Sequence, residues 1–271
     1  MKIFMKILLK NAVLFDAKQD RISGDVLVED GIIAAVGEIP AAEDAEIVDL
    51  AGCTLFPGFV DSHVHVAVDS KAFKDDAIRA WAYNGVTTVK ELGMLTPLSA
   101  ESYIEWLKTK DGPEYTHVIP AAKYIDVEGG YGCGPNPAMK VGIIIETPEQ
   151  AAEAVEYQYK NGSKCIKIGI SEGRPCLTKD MIQAICDKAY SLGMWVAVHL
   201  GLAETLELVV TCGATESAHT PSDPMSDELV ALCLEKGVIL DSTIGDPDAP
   251  MPGPPPGEKG GDDLAPVDMP K

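Results

Sequence analysis

The sequence predicts an α/β protein, a TIM-type (β/α)8 barrel that is incomplete at about seven strands and follows a small β domain. Three observations predict it. Residues 1–57 carry only strand patterns, short apolar runs alternate with helical segments from Gly58 onward, and a Pro- and Gly-rich stretch begins soon after Ile244. At 271 residues, 46% of them hydrophobic, the chain is long enough for a barrel-sized domain with a smaller companion.

The first strands are "KILLKNAVLFDA", "DVLVEDGIIAAVGE" and "AEIVDLAGCTLF", the second folded on itself at Asp30-Gly31, a pair suited to a tight hairpin turn. Seven barrel strands follow: "GFVDSHVH", "GVTTVKEL", "HVIPAAKYIDV", "SKCIKIGI", "MWVAVHL", "ATESAH" and "GVILDSTI". Two of the intervening helices are punctuated clearly. In "ETPEQAAEAVEYQYKNG", Thr147 caps, Pro148 occupies the first turn, Gln150 completes a capping box and Gly162 ends the helix. In "LTKDMIQAICDKAYSLG", Ile182, Ile185, Cys186 and Ala189 form one apolar stripe, with Gly193 as the stop. The expected division is therefore a β domain over 1–57, a barrel over 58–245, and an irregular loop or disordered tail over 246–271.

Composition narrows the function classes. A formal charge of −20 opposes binding to nucleic-acid phosphates or to anionic lipid surfaces. Lysines interrupt the N-terminal apolar runs, no cleavage site follows them, and no apolar stretch reaches the ~18 residues of a membrane span. Seven cysteines without regular spacing read as reduced thiols and small core residues, consistent with a cytoplasmic location.

Four of the five histidines fall near the C-terminal ends of three predicted strands. Along "GFVDSHVH" alternate residues share a face, so Asp61, His63 and His65 point one way, while Val60, Val64 and Val66 point toward the helices. In a barrel the histidines enter the lumen near the mouth where active sites of this architecture lie. Two imidazoles at that spacing ligate one cation, or are two hydrogen-bonded strand histidines. His199 and His219 end the strands "WVAVHL" and "ATESAH", whereas His117 begins its strand and reads as a surface or packing residue. In "CIKIGI" the isoleucines face the helices, which turns Cys165, Lys167 and Gly169 inward and leaves Lys164 outside. An inward ammonium is costly unless it is paired, with Asp61 or Glu91 as the available carboxylates, or carboxylated to an anionic carbamate that binds metal. The glycine-rich run 129–134 lacks a GK[ST] sequence and reads as a substrate-facing or ordinary loop, with Tyr131 as its candidate substrate contact.

These residues carry a resemblance. "PGFVDSHVH" is similar to the P-G-x-x-D-x-H-x-H signature of the amidohydrolase superfamily, and the β domain ahead of it resembles that superfamily's composite β-sandwich. "GVTTVKELG", "CIKIGI", "GMWVAVHLG" and "GATESAHT" look like successive barrel strands of its imidazolonepropionase-like and prolidase-like branch, so the resemblance runs from about 7 to 244. It implies a small N-terminal β-sandwich and a divalent metal site with two zinc ions. His63 and His65 would hold the first ion, His199 and His219 the second, and Lys167, carboxylated, would bridge them. It also implies hydrolysis of an amide, a cyclic amide or a peptide bond by a hydroxide shared between the metals.

Members of the family carry an aspartate at the end of strand eight that ligates metal and shuttles a proton. This sequence resembles a C-terminally truncated member that stops before that strand, so no catalytic residue is identified, and Asp241 belongs to strand seven. An open barrel exposes strand edges and an apolar lumen unless something covers them. Three expectations follow: a metal-dependent hydrolase of C–N bonds on a small-molecule amide or peptide, a catalytically impaired relic that still binds metal, or one part of an assembly completed by a second copy or a complementing segment.

Overall fold

The computed structural model describes residues 5–15, 18, 22–66, 75–96, 98–134 and 141–243. The expected tail, 246–271, lies outside them, as does Ile244. The chain forms two compact units, Met1–Lys123 with Lys160–Lys164, and Tyr124–Tyr159 with Cys165–Lys271.

The first unit opens with β1 (Lys6–Leu14), β2 (Ile22–Glu29), β3 (Ile32–Gly37), β4 (Glu46–Asp49) and β5 (Thr54–Leu55). These make one mixed sheet in the order β3-β2-β1-β4, with β5 also on β1. Asp30 and Gly31 turn β2 into β3 with φ of 52° and 80°, the paired positive φ angles of the tight hairpin the sequence predicts. In β1 the register shifts between Leu9 and Ala12, and Asn11 takes up the bulge at φ 61°. Beside the bulge, Asp25 accepts from Lys10 Nζ at 2.7 Å and from the N–H groups of Asn11 (2.9 Å) and Ile39 (3.0 Å). The Lys10 ammonium, aided by these N–H donors, holds the Asp25 carboxyl down at about 2. An apolar groove of about 430 Å³ runs over the sheet, lined by Leu9, Val26, Val28, Ile33, Val36 and Phe56 among others. A second sheet facing this one is not among the described residues, so the expected sandwich is represented by one sheet.

The same unit continues with β6 (Phe59–Val64), α1 (Asp76–Tyr83), β7 (Val86–Glu91), α2 (Ala100–Lys108) and β8 (His117–Pro120). Here β6, β7 and β8 pair in parallel. Ser99 caps α2 by accepting from Ser102 N–H at 3.2 Å. Val64 and Val66 enter a core with Ile78, Val89, Met94 and Tyr103, as strand alternation requires. Val60 does not: it is 66% exposed, because register shifts on both sides of Val60–Asp61 rotate it out of the alternation.

The predicted third strand, 117–127, is two strands. Ala122 adopts φ 59°, which no continuous strand tolerates, and the chain resumes as β9 (Tyr124–Asp126) in the second unit. That unit adds β10 (Gly142–Ile144), α3 (Pro148–Asn161), β11 (Cys165–Gly169), α4 (Lys179–Ser191), β12 (Trp195–His199), α5 (Ala203–Thr211), β13 (Glu216–Ser217), α6 (Asp227–Lys236) and β14 (Ile239–Leu240). The sheet order is β10-β9-β11-β12-β13-β14, and every pairing is parallel. Among the described residues the parallel strands from β6 onward thus form sheets of three and six, where the sequence predicts one run of seven; β10 is the strand it does not foresee.

Helix signals act as expected. Gln150 N–H donates to Thr147 Oγ1 at 3.3 Å, and the Gln150 side chain accepts from Glu146 N–H at 2.7 Å, one residue earlier than the standard box. Gly162 follows α3 at φ 102°, and Thr178 caps α4 through Met181 N–H at 3.3 Å. Ile182, Ile185, Cys186 and Ala189 are fully buried against Ile166, Ile168 and Ile170 of the β11 strand and its exit. This packing fixes the alternation of β11 and leaves Cys165, Lys167 and Gly169 on its other face. All seven cysteines are free thiols.

Candidate functional site

In the first unit, His63 lies in β6 and His65 immediately follows it, both half-buried. Their ring centroids are 5.4 Å apart and their planes cross at 69°. His63 N–H donates to the Asp61 carboxylate at 3.2 Å, tying the backbone of the pair. His65 Nδ1 lies 2.7 Å from the carbonyl oxygen of Gly93. A carbonyl only accepts, so the proton of this contact sits on Nδ1.

In the second unit, the parallel register brings two further histidines together. His199 is the last residue of β12, opposite Gly169 of β11, and His219 comes two residues after β13. His199 Nδ1 and His219 Nε2 face each other at 2.8 Å, the rings standing edge to face with centroids 4.6 Å apart. The other His219 nitrogen, Nδ1, is 2.7 Å from Thr243 Oγ1. Tyr131 lies flat on His199, centroid to centroid 3.8 Å at 16°. Lys167 sits on the face of β11 away from the isoleucine core, two residues before Gly169, and is 1% exposed.

The loop carrying Tyr131 is anchored by a residue that sequence reading does not single out. Asp126, at the end of β9, is fully buried and accepts from Val127 N–H and Gly132 N–H at 2.8 Å each, with Tyr131 N–H also directed at its carboxylate. Burial pushes this carboxyl up to about 6, against the pull of those donors and of the Arg174 charge. Burial likewise raises the Tyr131 phenol above its ordinary value, so at neutral pH it is an O–H donor. The spacing of Asp126 ahead of Gly129-Gly130, a short polar residue before two turn-forming glycines, is the signal that marks it in retrospect.

The sequence-predicted residues are thus placed in two groups, His63 with His65 in one unit, and Tyr131, His199 and His219 in the other with Lys167 on the neighbouring strand. In neither unit, among the described residues, do three or more His, Cys, Asp and Glu side chains gather as a cation cluster. The His199/His219 pair nevertheless suits a divalent metal. Two nitrogens bound to one tetrahedral zinc at ~2.0–2.1 Å lie roughly 3.3 Å apart, so the observed 2.8 Å needs to open only slightly. Thr243 Oγ1 can then accept the remaining His219 proton, the usual outer partner of a metal-bound imidazole.

Residues 54–251 match the Amidohydrolase family. An enamidase of Eubacterium barkeri is 39% identical over 190 residues, covering 59% of this chain and 48% of that protein. A dihydroorotase of Geobacter sulfurreducens is 28% identical over 211 residues, covering 76% and 44%. The chain spans less than half the length of these relatives. Among solved structures, a Xaa-Pro dipeptidase with bound methionine superposes with a TM-score of 0.69 at 24% identity, covering 86% of this chain and 65% of that one. An amidohydrolase superposes with a TM-score of 0.73 at 22% identity, covering 87% and 65%.

Proposed function

The chain belongs to the amidohydrolase family, and from that premise we propose that it is a metal-dependent hydrolase of C–N bonds in a small amide, cyclic amide or peptide. The observation that carries the proposal is the facing pair His199 Nδ1 and His219 Nε2 at the ends of neighbouring parallel strands, with Tyr131 stacked on it. The cation ligands are His63 and His65 in the first unit, and His199, His219 and Lys167 in the second, with zinc one of several divalent metals that suit imidazole donors. Bound there, divalent cations acidify a water and polarise the substrate carbonyl.

The residues of the chain do the rest. Gly93 fixes the His65 tautomer, so that Nε2 is the donor. Thr243 Oγ1 does the same for His219 when it accepts a hydrogen bond from Nδ1–H. Lys167, buried where an ammonium is costly, is the residue suited to carboxylation, which converts its positive charge to an anionic ligand. The Tyr131 O–H, a phenol that is protonated at neutral pH, donates to an oxygen of the substrate. A cytoplasmic setting agrees with the free thiols.

The test is elemental analysis of chelator-free protein alongside a His199→Ala/His219→Ala double variant, with hydrolysis assays on cyclic amides, enamides and Xaa-Pro dipeptides. About two cations per chain, reduced in the variant, and turnover of one substrate class support the proposal. A folded wild-type chain without bound cations sinks it. Cations without turnover support instead the reading in which a complementing segment or a second copy is needed for activity.

A further inference from the structure

We infer that Asp126 is a positioning residue whose carboxylate, by collecting the backbone N–H groups of the loop after β9, sets where the Tyr131 ring lies against His199. The inference deepens the reading above by adding a residue to the same site, and it rests on that reading only for its consequence in turnover.

Three observations converge. First, the Asp126 oxygens take N–H groups from both sides of Tyr131, Val127 at 2.8 Å before it and Gly132 at 2.8 Å after it, as well as from Tyr131 itself. The backbone flanking the ring therefore has its direction fixed by one rigid, fully buried group at a strand end. Second, two glycines of the loop have no room for a side chain. A Cβ on Gly130 would collide with the Asp126 carboxylate, and one on Gly132 would lie 2.7 Å from Tyr124 Cβ. Third, the ring packs directly on bare backbone. A Cβ on Gly169 would lie 2.5 Å from Tyr131 Cδ1, so the bare β11 backbone is what lets the phenol settle onto His199 at 3.8 Å. A surface loop needs no buried carboxylate at its base. One that must present an aromatic ring to an imidazole within a few tenths of an ångström does.

The inference is tested by NMR on the full chain, reading the His199 Hε1 resonance, which the Tyr131 ring current moves upfield. Tyr131→Leu removes that displacement. The expected result is that Asp126→Asn removes most of it as well, while the double variant adds nothing further. With any substrate the wild type hydrolyses, the two single variants lose on the order of 10–100-fold in kcat/KM, chiefly through KM, and the double variant loses no more than either. A folded Asp126→Asn protein whose His199 resonance stays at the wild-type position overturns the inference. If that variant does not fold, hydrogen exchange of the wild-type chain decides: the Tyr131 and Gly132 amides are expected to exchange far more slowly than exposed loop amides, and exchange at loop rates overturns the inference. Neither NMR arm requires turnover, so failure of the hydrolase reading leaves the anchor of Tyr131 separately decided.

Discussion

Asp25 in the first unit and Asp126 in the second are the same side chain, each gathering backbone N–H groups, with opposite results. Asp25 is 6% exposed and Asp126 fully buried, and each draws in backbone N–H groups. Asp25 also touches the Lys10 ammonium, and its carboxyl titrates at about 2. Asp126 is held by peptide N–H groups, with Arg174 acting only as a more distant charge, and burial lifts its carboxyl to about 6. At Asp126 the peptide dipoles orient the carboxylate but do not offset the loss of water around its charge; at Asp25 the loss of water is smaller and a cation in contact outweighs it. The first arrangement is a clip that closes a β-bulge. The second gives a precise shape to a loop and leaves its anchoring group close to changing charge.

The largest effect should come from removing the cation from the first site. Lys10→Met removes the ammonium from Asp25, and the Asp25 carboxyl is expected to rise from about 2 toward the ordinary carboxylate range, with a fall of several degrees in the melting temperature at pH 7; a carboxyl still near 2 by NMR titration breaks the comparison. Next in size is the pH dependence. The folded Asp126 carboxyl binds its proton more tightly than an unfolded one (about 3.9), so its contribution to stability is complete below pH 4 and is lost as pH rises through 6. The loss is on the order of 3 kcal/mol. Asp25 runs the other way, its contribution being present above about pH 3.9 and lost only as pH falls through about 2. Denaturant unfolding between pH 4 and 7 should therefore slope downward in the wild type and flatten in Asp126→Asn. The smallest effect sharpens the picture of the clip. Asn11→Ala places an ordinary residue at φ 61° and loses the 2.9 Å bond to Asp49, costing about 1–2 kcal/mol, whereas Asn11→Gly costs less because glycine accepts that φ. Equal losses in the two variants, by thermal unfolding, would mean that the bulge geometry is not what Asn11 supplies.

Much of this architecture is legible in the sequence where the deciding physics is local. The Asp30-Gly31 hairpin, the cap and stop residues of α3 and α4, and the alternation that separates the β11 isoleucines from Lys167 depend on residues a few positions apart. So does the placing of His199 and His219 at strand ends, and the register of the parallel pairing then brings them face to face. What is not legible depends on backbone conformation or on distant partners. Ala122 looks like any residue of an apolar run, yet its positive φ divides one expected strand into β8 and β9. Val60 fits the alternation on paper and is turned out by register shifts. Asp126 reads as a polar residue at a strand exit, and only the fold shows it sealed beneath a loop whose N–H groups it gathers.

Because those N–H groups belong to the main chain, the anchor makes no demand on which side chain stands at position 131. A residue other than proline at this position keeps the N–H that Asp126 attracts. The main-chain anchor and the side chain it carries are therefore separable at this point of the molecule. Such a position can be randomised in a library, or altered by drift, while the loop beneath it keeps its bonds.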